Sequence, residues 1–343
     1  MKKSKSFFLL AALSLTALTF SSCSGKSGES KKYDEGSAVL FCDEGFASFM
    51  EEEISVFEYQ YPKASILTRY MSETEAINGM LKNECQLIVT SKPFSQSQID
   101  YMKDKYQRIV KSSPIAVDAV AIIVNKDNSV QRLNLSDIKD ILDGTVDTWS
   151  QLARVTKENK LDTTKIKIVF DRDGSATVNY MQDKFLNGGK FPANAYAQNS
   201  TIEVFNIVEK DPSAIGIISV SWLGENLEKR SQEAVKTDDA KVKGLQDQNE
   251  EIAMEFTDKV KILPIGNDKA VYADDYYQPY QAYIYEKGKY PLVRTIYLTS
   301  SSTQKSVGKS FYDFVTGYIG QKILARTGIL PYNVQPRIVE LGE

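Results

Sequence analysis

KIKIVFDRDGSATVNYMQDKFL, residues 165–186, reads as strand, tight loop and helix. Ile166, Ile168 and Phe170 alternate with Lys165, Lys167 and Val169, the period of two expected of a strand. Gly174 permits a sharp turn, and Ser175 or Thr177 can cap the helix that follows by accepting a free amide. Val178, Met181 and Phe185 then share one helical face. A helix start of this kind presents unpaired N–H groups and the positive end of the helix dipole, which together suit an anion. Arg172 stands beside it and can add a planar two-point contact to an oxyanion. An ordinary capped strand–turn–helix connection has the same appearance, so the neighbouring stretches decide between the two.

The N-terminus is a targeting segment by pattern. Lys2, Lys3 and Lys5 precede an apolar run from Phe7 to Phe20, then Ser21, Ser22 and Cys23 follow. This is the order of a signal peptide, and the run is too short for a comfortable membrane span. Cys23 directly after small residues resembles a bacterial lipobox, with Cys23 as the lipid-modified first residue, although Phe20 replaces the more usual Leu. Residues 1–22 are therefore expected to be the signal and 23–35 a small, polar tether to the membrane lipid. The formal net charge is −3, and cleavage before Cys23 removes three lysines. Nothing in that balance suggests a nucleic-acid partner. The chain contains no histidine, which removes a Ser–His–Asp triad and every zinc site that needs His. Cys42 ends one apolar run and Cys85 precedes another. On parallel neighbouring strands they would lie at opposite ends, beyond disulfide reach, so two buried free thiols are expected.

Strand and helix patterns alternate along the first hundred residues. Ala38–Phe41, Ser65–Tyr70 and Leu87–Val89 are strand-like; a helix carrying Phe49, Ile54 and Phe57 stops before Pro62. Ser72-Glu73-Thr74-Glu75 has the form of a capping box, and Gln96–Tyr106 is helical. Buried-type strands alternating with helices imply a parallel sheet covered on both faces. The polar turns after the strands, at Gly45, Ser72, Ser91 and Ser175, are where open α/β sheets bind ligands. Pro114–Asn125 is the longest buried-strand pattern. Ser136 is expected to cap a helix ended by Gly144. Glu233–Lys261 reads as a solvated excursion. A strand follows Pro291, and one closing helix is expected within 310–330, with Gly328 as its stop.

Five stretches carry a resemblance when taken in order: LNLSDIKDILDGTVDTW at 133–149, DGSAT at 173–177, PSAIGIIS at 212–219, YPLVRTIYL at 290–298 and GQKILARTGILP at 320–331. Together they look like the phosphate-type solute-binding proteins of ABC importers, over about Ala38 to Pro331. The resemblance implies an α/β, two-lobe periplasmic-binding-protein-like (type II) fold with a ligand cleft between the lobes. Lobe 1 would be residues 36–114 plus 286–343, and lobe 2 residues 115–285. Carried over residue by residue, the pocket would comprise Gly45, Phe46, Ser72, Ser91, Arg172, Gly174, Ser175, Ala176 and Thr177. Neutral amides and hydroxyls can hold a desolvated oxyanion because each dipole points at the charge.

Several positions depart from the family pattern. Gly45 stands where a threonine is usual. Ser91 stands where some relatives have an aspartate that accepts a proton from the oxyanion and so rejects sulfate. Asp171 occupies the place of the family arginine, with Arg172 one residue nearer the motif serine. Asp43 and Glu44 would repel an anion if they faced inward.

The function implied is a lipid-anchored receptor on the periplasmic side that binds inorganic phosphate or a related oxyanion and passes it to ABC permease subunits. A monomer is expected, without cofactor, metal or catalysis. Two alternatives come from other classes. A sensory or orphan binding lipoprotein of the same fold would take another ligand. A phosphate-ester hydrolase would need a carboxylate cluster such as Asp43, Glu44, Asp171 and Asp173 to hold metal.

Overall fold

The computed structural model describes residues 34–152, 164–222, 259–280, 283–284, 289–327 and 329–333. The signal segment with Cys23, most of the tether, most of the polar excursion and Gly328 lie outside these residues.

Three strands open the chain: β1 (Glu35–Asp43), β2 (Lys63–Met71) and β3 (Leu87–Thr90). β1 lies parallel between β2 and β3. Helices α1 (Ala47–Gln60), α2 (Glu73–Leu81) and α3 (Gln96–Tyr106) link and follow them. The strands read as continuous apolar runs because both faces are covered. Leu40, Leu87 and Val89 pack with Phe49 and Phe57 on one side. Phe41 and Ile88 pack with Met80 and Met102 on the other. The capping box at Ser72 forms as its spacing predicts, with Glu75 completing it.

β4 (Lys111–Asn125) is the long apolar strand, and at about 3.4 Å per residue it runs about 50 Å. It serves two half-sheets. Its first part pairs antiparallel with β12 (Val293–Ser300), which also pairs antiparallel with β3. Its second part pairs antiparallel with β8 (Ala214–Ser219) and β9 (Val260–Ile262). Beyond β8 come β6 (Lys167–Phe170) and β7 (Ala195–Ala197), parallel to one another, with β6 parallel to β8. β13 (Leu330–Pro331) lies against β4. The sheet is therefore mixed rather than all parallel. β4 and β12 run between the halves, against the direction of the strands beside them.

The second half is covered by α4 (Leu135–Leu142), α5 (Ala176–Leu186) and α6 (Thr201–Lys210). Ile122, Ile168 and Met181 join Trp149 on one face, while Ile123, Val169 and Phe205 fill the other. A small sheet joins β5 (Leu133–Asn134), β10 (Ile265–Gly266) and β11 (Tyr276–Tyr277).

Two local expectations are corrected. The α4 helix begins two residues earlier than a Ser136 cap requires. Its N-cap is Asn134, whose N–H donates to the Asp137 carboxylate at 2.8 Å, while the Ser136 N–H donates to Asp268 at 2.6 Å. The single closing helix is two, α7 (Val307–Thr316) and α8 (Tyr318–Arg326), because Gly317 between them adopts extended backbone with φ −86° and ψ 178°. Cys42 and Cys85 are free and buried. Among the described residues no helix is long and apolar enough to cross a membrane.

Candidate functional site

The C-terminal ends of β1, β2, β3 and β6 bring their turns together. At β1 the last residue, Asp43, turns its carboxylate inward. Its Oδ1 accepts from Gly45 N–H at 3.0 Å. Its Oδ2 accepts from Glu73 N–H and Ala176 N–H, both at 2.9 Å. Glu73 and Ala176 are the first residues of α2 and α5, so two helix N-termini point at one carboxylate, one from each half-sheet. Free N–H groups and aligned peptide dipoles make this a place for negative charge.

A second carboxylate lies beside the first. Glu73 Oε2 accepts from Ser91 Oγ at 2.7 Å and from the Ser91 N–H, and Oε1 accepts from Asn179 Nδ2 at 3.1 Å. The Thr74 N–H donates to the Gly174 carbonyl at 3.0 Å, a backbone link between the two turns. Gly174 has φ +68°, and a Cβ there would come within 2.9 Å of Thr74 Oγ1, so the approach of the turns depends on glycine.

Ser175 is the N-cap of α5. Its Oγ accepts from Val178 N–H at 3.1 Å and donates to Asp171. Thr177 is fully buried and its Oγ1 accepts from Arg294 Nη1 at 3.4 Å. Arg294 comes from β12, and its Nε and Nη2 donate to Asp118 of β4 at 3.0 and 2.7 Å. The guanidinium sits 4.9 Å from the centre of the Phe46 ring. Asp118 also accepts from Ser219 Oγ at 2.8 Å and Ser221 N–H at 3.2 Å, and Ser221 Oγ donates to the Gly45 carbonyl.

Asp43, Glu73, Asp118, Asp171 and Arg294 are each no more than 4% exposed. Four carboxyl groups and one guanidinium in so dry a place cannot all keep their ordinary protonation. Burial, then Asp171 and Glu73, push Asp43 up to about 7, against the Ala176 N–H and Arg294, which pull it down. Burial likewise pushes Asp171 up to about 6, opposed by the Ser175 hydroxyl and Arg294. Burial works against the Arg294 charge, yet Asp118, Asp43 and Glu73 outweigh it and hold that side chain above its usual value.

The positions inferred from sequence are thus placed as follows. Gly45, Ala176 and Ser91 present amides at the cluster, and Phe46 lies under Arg294. Ser72 is occupied as a cap: its Oγ donates to Glu75 at 2.9 Å and accepts from Glu75 N–H. The next amide, that of Glu73, is the one that reaches Asp43. Arg172 is not among the groups on Asp43. Its Nη2 donates to Glu44 at 2.8 Å and to the Asn199 carbonyl at 3.1 Å, and the side chain is 40% exposed. Lys92 pairs with Asp183.

Arg294, Asp118 and Glu73 were missed. A signal existed for the first two. Arg294 interrupts the apolar YPLVRTIYL strand and Asp118 interrupts PIAVDAVAIIVN, and a charge inside a buried strand needs a partner. Glu73 carries no such signal, because an acidic residue in the first turn of a helix is ordinary.

A family model described as a PBP superfamily domain matches residues 35–318. A curated phosphate-binding protein PstS of Pseudomonas aeruginosa is 24% identical over 185 residues, covering 51% of this chain and 56% of its own. The PstS of Staphylococcus epidermidis is 24% identical over 219 residues, covering 64% and 65%. The alignments therefore span between about half and two thirds of those relatives. Among solved structures, a candidate phosphate ABC-transporter substrate-binding protein of Clostridium perfringens, with phosphate bound, superposes with a TM-score of 0.61 at 20% identity. It covers 87% of this chain and 100% of that one. An ABC-type phosphate transport receptor of Vibrio cholerae gives 0.58 at 18% identity, covering 85% and 99%.

Proposed function

From the premise that this chain belongs to the PBP superfamily domain family, we propose that it is a solute receptor that holds phosphate, or a related oxyanion, between its two lobes and delivers it to an ABC permease. The supporting observation is the convergence of the Gly45, Glu73 and Ala176 amides on one position, the Asp43 carboxylate. Amides fixed by strand ends and helix starts stabilise an oxyanion without reorganising, and exclusion of water strengthens each contact. Thr177 and Arg294 lie at the edge of the same position and can contribute a hydroxyl and a positive charge. The lobes are drawn at residues 36–114 with 286–343 and at residues 115–285, hinged on the long β4 and on β12. The protein acts as a monomer anchored through lipid on Cys23 at the periplasmic side, and it makes and breaks no bond of its ligand.

A panel of phosphate, arsenate, sulfate, molybdate and phosphonates against the purified protein tests this, read as thermal shift and confirmed by calorimetry. Phosphate should raise the melting temperature in a saturable way. If no oxyanion does so, the oxyanion reading falls. One observation favours a second reading, a receptor of the same fold for another ligand: Asp43 and Glu73 bring negative charge to the donors an oxyanion would use. A melting temperature that responds to a neutral or cationic solute and not to oxyanions would establish it.

A further inference from the structure

The donors that define the anion position are not idle. Gly45, Glu73 and Ala176 give their N–H groups to Asp43, and Ser91 gives its N–H and hydroxyl to Glu73. An anion can use these groups only by replacing a carboxylate already bonded to them. Because the Ala176 N–H comes from α5 and the other two amides from the turns after β1 and β2, the Asp43 carboxylate also bridges the two half-sheets. It does from within the chain what an anionic ligand does from outside.

We propose that Asp43 is the residue that sets affinity at this site: a tethered internal anion that bridges the lobes through the Gly45, Glu73 and Ala176 amides, and that a ligand has to displace. The proposal rests on the oxyanion reading above for its ligand, though not for the bridge itself.

The physical case has three parts. Charge-assisted bonds to backbone N–H groups are the stronger kind, and Asp43 makes three of them. Competition is local, since Asp43 is covalently held two residues from Gly45 and its effective concentration at the amides is high. A second carboxylate, Glu73, is close enough to raise the proton affinity of Asp43, and an oxyanion that takes the place of Asp43 meets the same like charge. A free oxyanion therefore binds against an occupied position, and the apparent affinity falls by the fraction of molecules in which Asp43 has moved aside.

Two measurements test this on the purified protein, wild type against Asp43→Ala and Asp43→Asn. The first is calorimetric titration with inorganic phosphate. Asp43→Ala should bind at least tenfold more tightly than wild type. Asp43→Asn, which keeps the shape and one acceptor oxygen, should fall between the two and serves if the alanine variant folds poorly. The second is amide hydrogen exchange without added phosphate. The Ala176 and Glu73 amides should exchange at least tenfold faster in the variants. The Thr74 amide, whose bond to the Gly174 carbonyl joins the two turns, should do the same once the bridge is lost.

Unchanged or weaker phosphate binding in both variants, with a binding wild type, overturns the proposal and leaves the phosphate reading in place. Tighter binding with all three amides unchanged also overturns it, since a carboxylate that merely repels the ligand would give that pattern. If no form binds phosphate, the phosphate reading falls, and the exchange rates alone decide whether Asp43 is the bridge.

Discussion

Ser175→Ala separates a ligand contact from a structural cap, and the geometry assigns it a measurable stability cost. The hydroxyl has two partners within the chain. It caps α5 through Val178 N–H, and loss of such a cap costs about 1 kcal/mol. It also donates to the buried Asp171 carboxylate, and a hydrogen bond to a charged group contributes about 1.5–3 kcal/mol. With Asp171 ionised, the expected loss is therefore about 2.5–4 kcal/mol. It should not be constant with pH. Burial already holds Asp171 at about 6, above its unfolded value of 3.8, so the folded state binds the extra proton and stability falls as pH rises from about 4 to above 6. Removing the Ser175 donor pushes Asp171 higher still and widens that window upward. The variant should thus lie about 2.5–4 kcal/mol below wild type at pH 8 and approach the cap cost alone, about 1 kcal/mol, near pH 4. Urea unfolding of both proteins at half-unit pH steps measures the difference. A difference below about 0.5 kcal/mol at pH 8, together with a large loss of phosphate affinity, would refute the capping argument. A constant difference across the range would refute the role given to Asp171.

Three further outcomes follow from other positions. Glu53 of α1 is fully buried with neither carboxyl oxygen hydrogen-bonded, and burial, then Glu52, push it up to about 9. Its unfolded value is 4.5, so keeping the proton costs about 3 kcal/mol at pH 7. Glu53→Gln should therefore be about 3 kcal/mol more stable than wild type at pH 7 and near parity at pH 4, and parallel pH–stability curves would contradict this. Asp171→Asn should raise sulfate affinity relative to phosphate if Asp171 supplies the carboxylate acceptor that some relatives carry at the position of Ser91, because an amide can donate to a fully deprotonated ligand where a carboxylate only repels it. Competition titration of both anions at two pH values reads the ratio, and an unchanged ratio removes Asp171 from selectivity. Cys23→Ala should abolish incorporation of labelled fatty acid while leaving ligand binding intact; labelling equal to wild type would rule out the lipobox reading.

The strand order along the chain, the covering of both sheet faces and the capped glycine turn at 173–177 were legible without coordinates. Each is local chemistry: apolar runs too continuous for one-sided burial, a glycine where φ must be positive, a hydroxyl at a helix start. The capping box at Ser72 and the buried faces of α1 and α5 belong to the same class. Only the tertiary structure decided which way the carboxylates face. Asp43 ends a strand whose alternation does not say what its last side chain meets, and the three amides that hold it come from residues 2, 30 and 133 positions away. Arg172, adjacent to the motif in sequence, is drawn off by Glu44. Arg294, 117 positions from Thr177, is delivered by β12 pairing antiparallel with β4. Local pattern determines elements because backbone sterics and burial act over a few residues. A site made of charges depends on which distant groups share a dry volume, and that is a property of the packed chain.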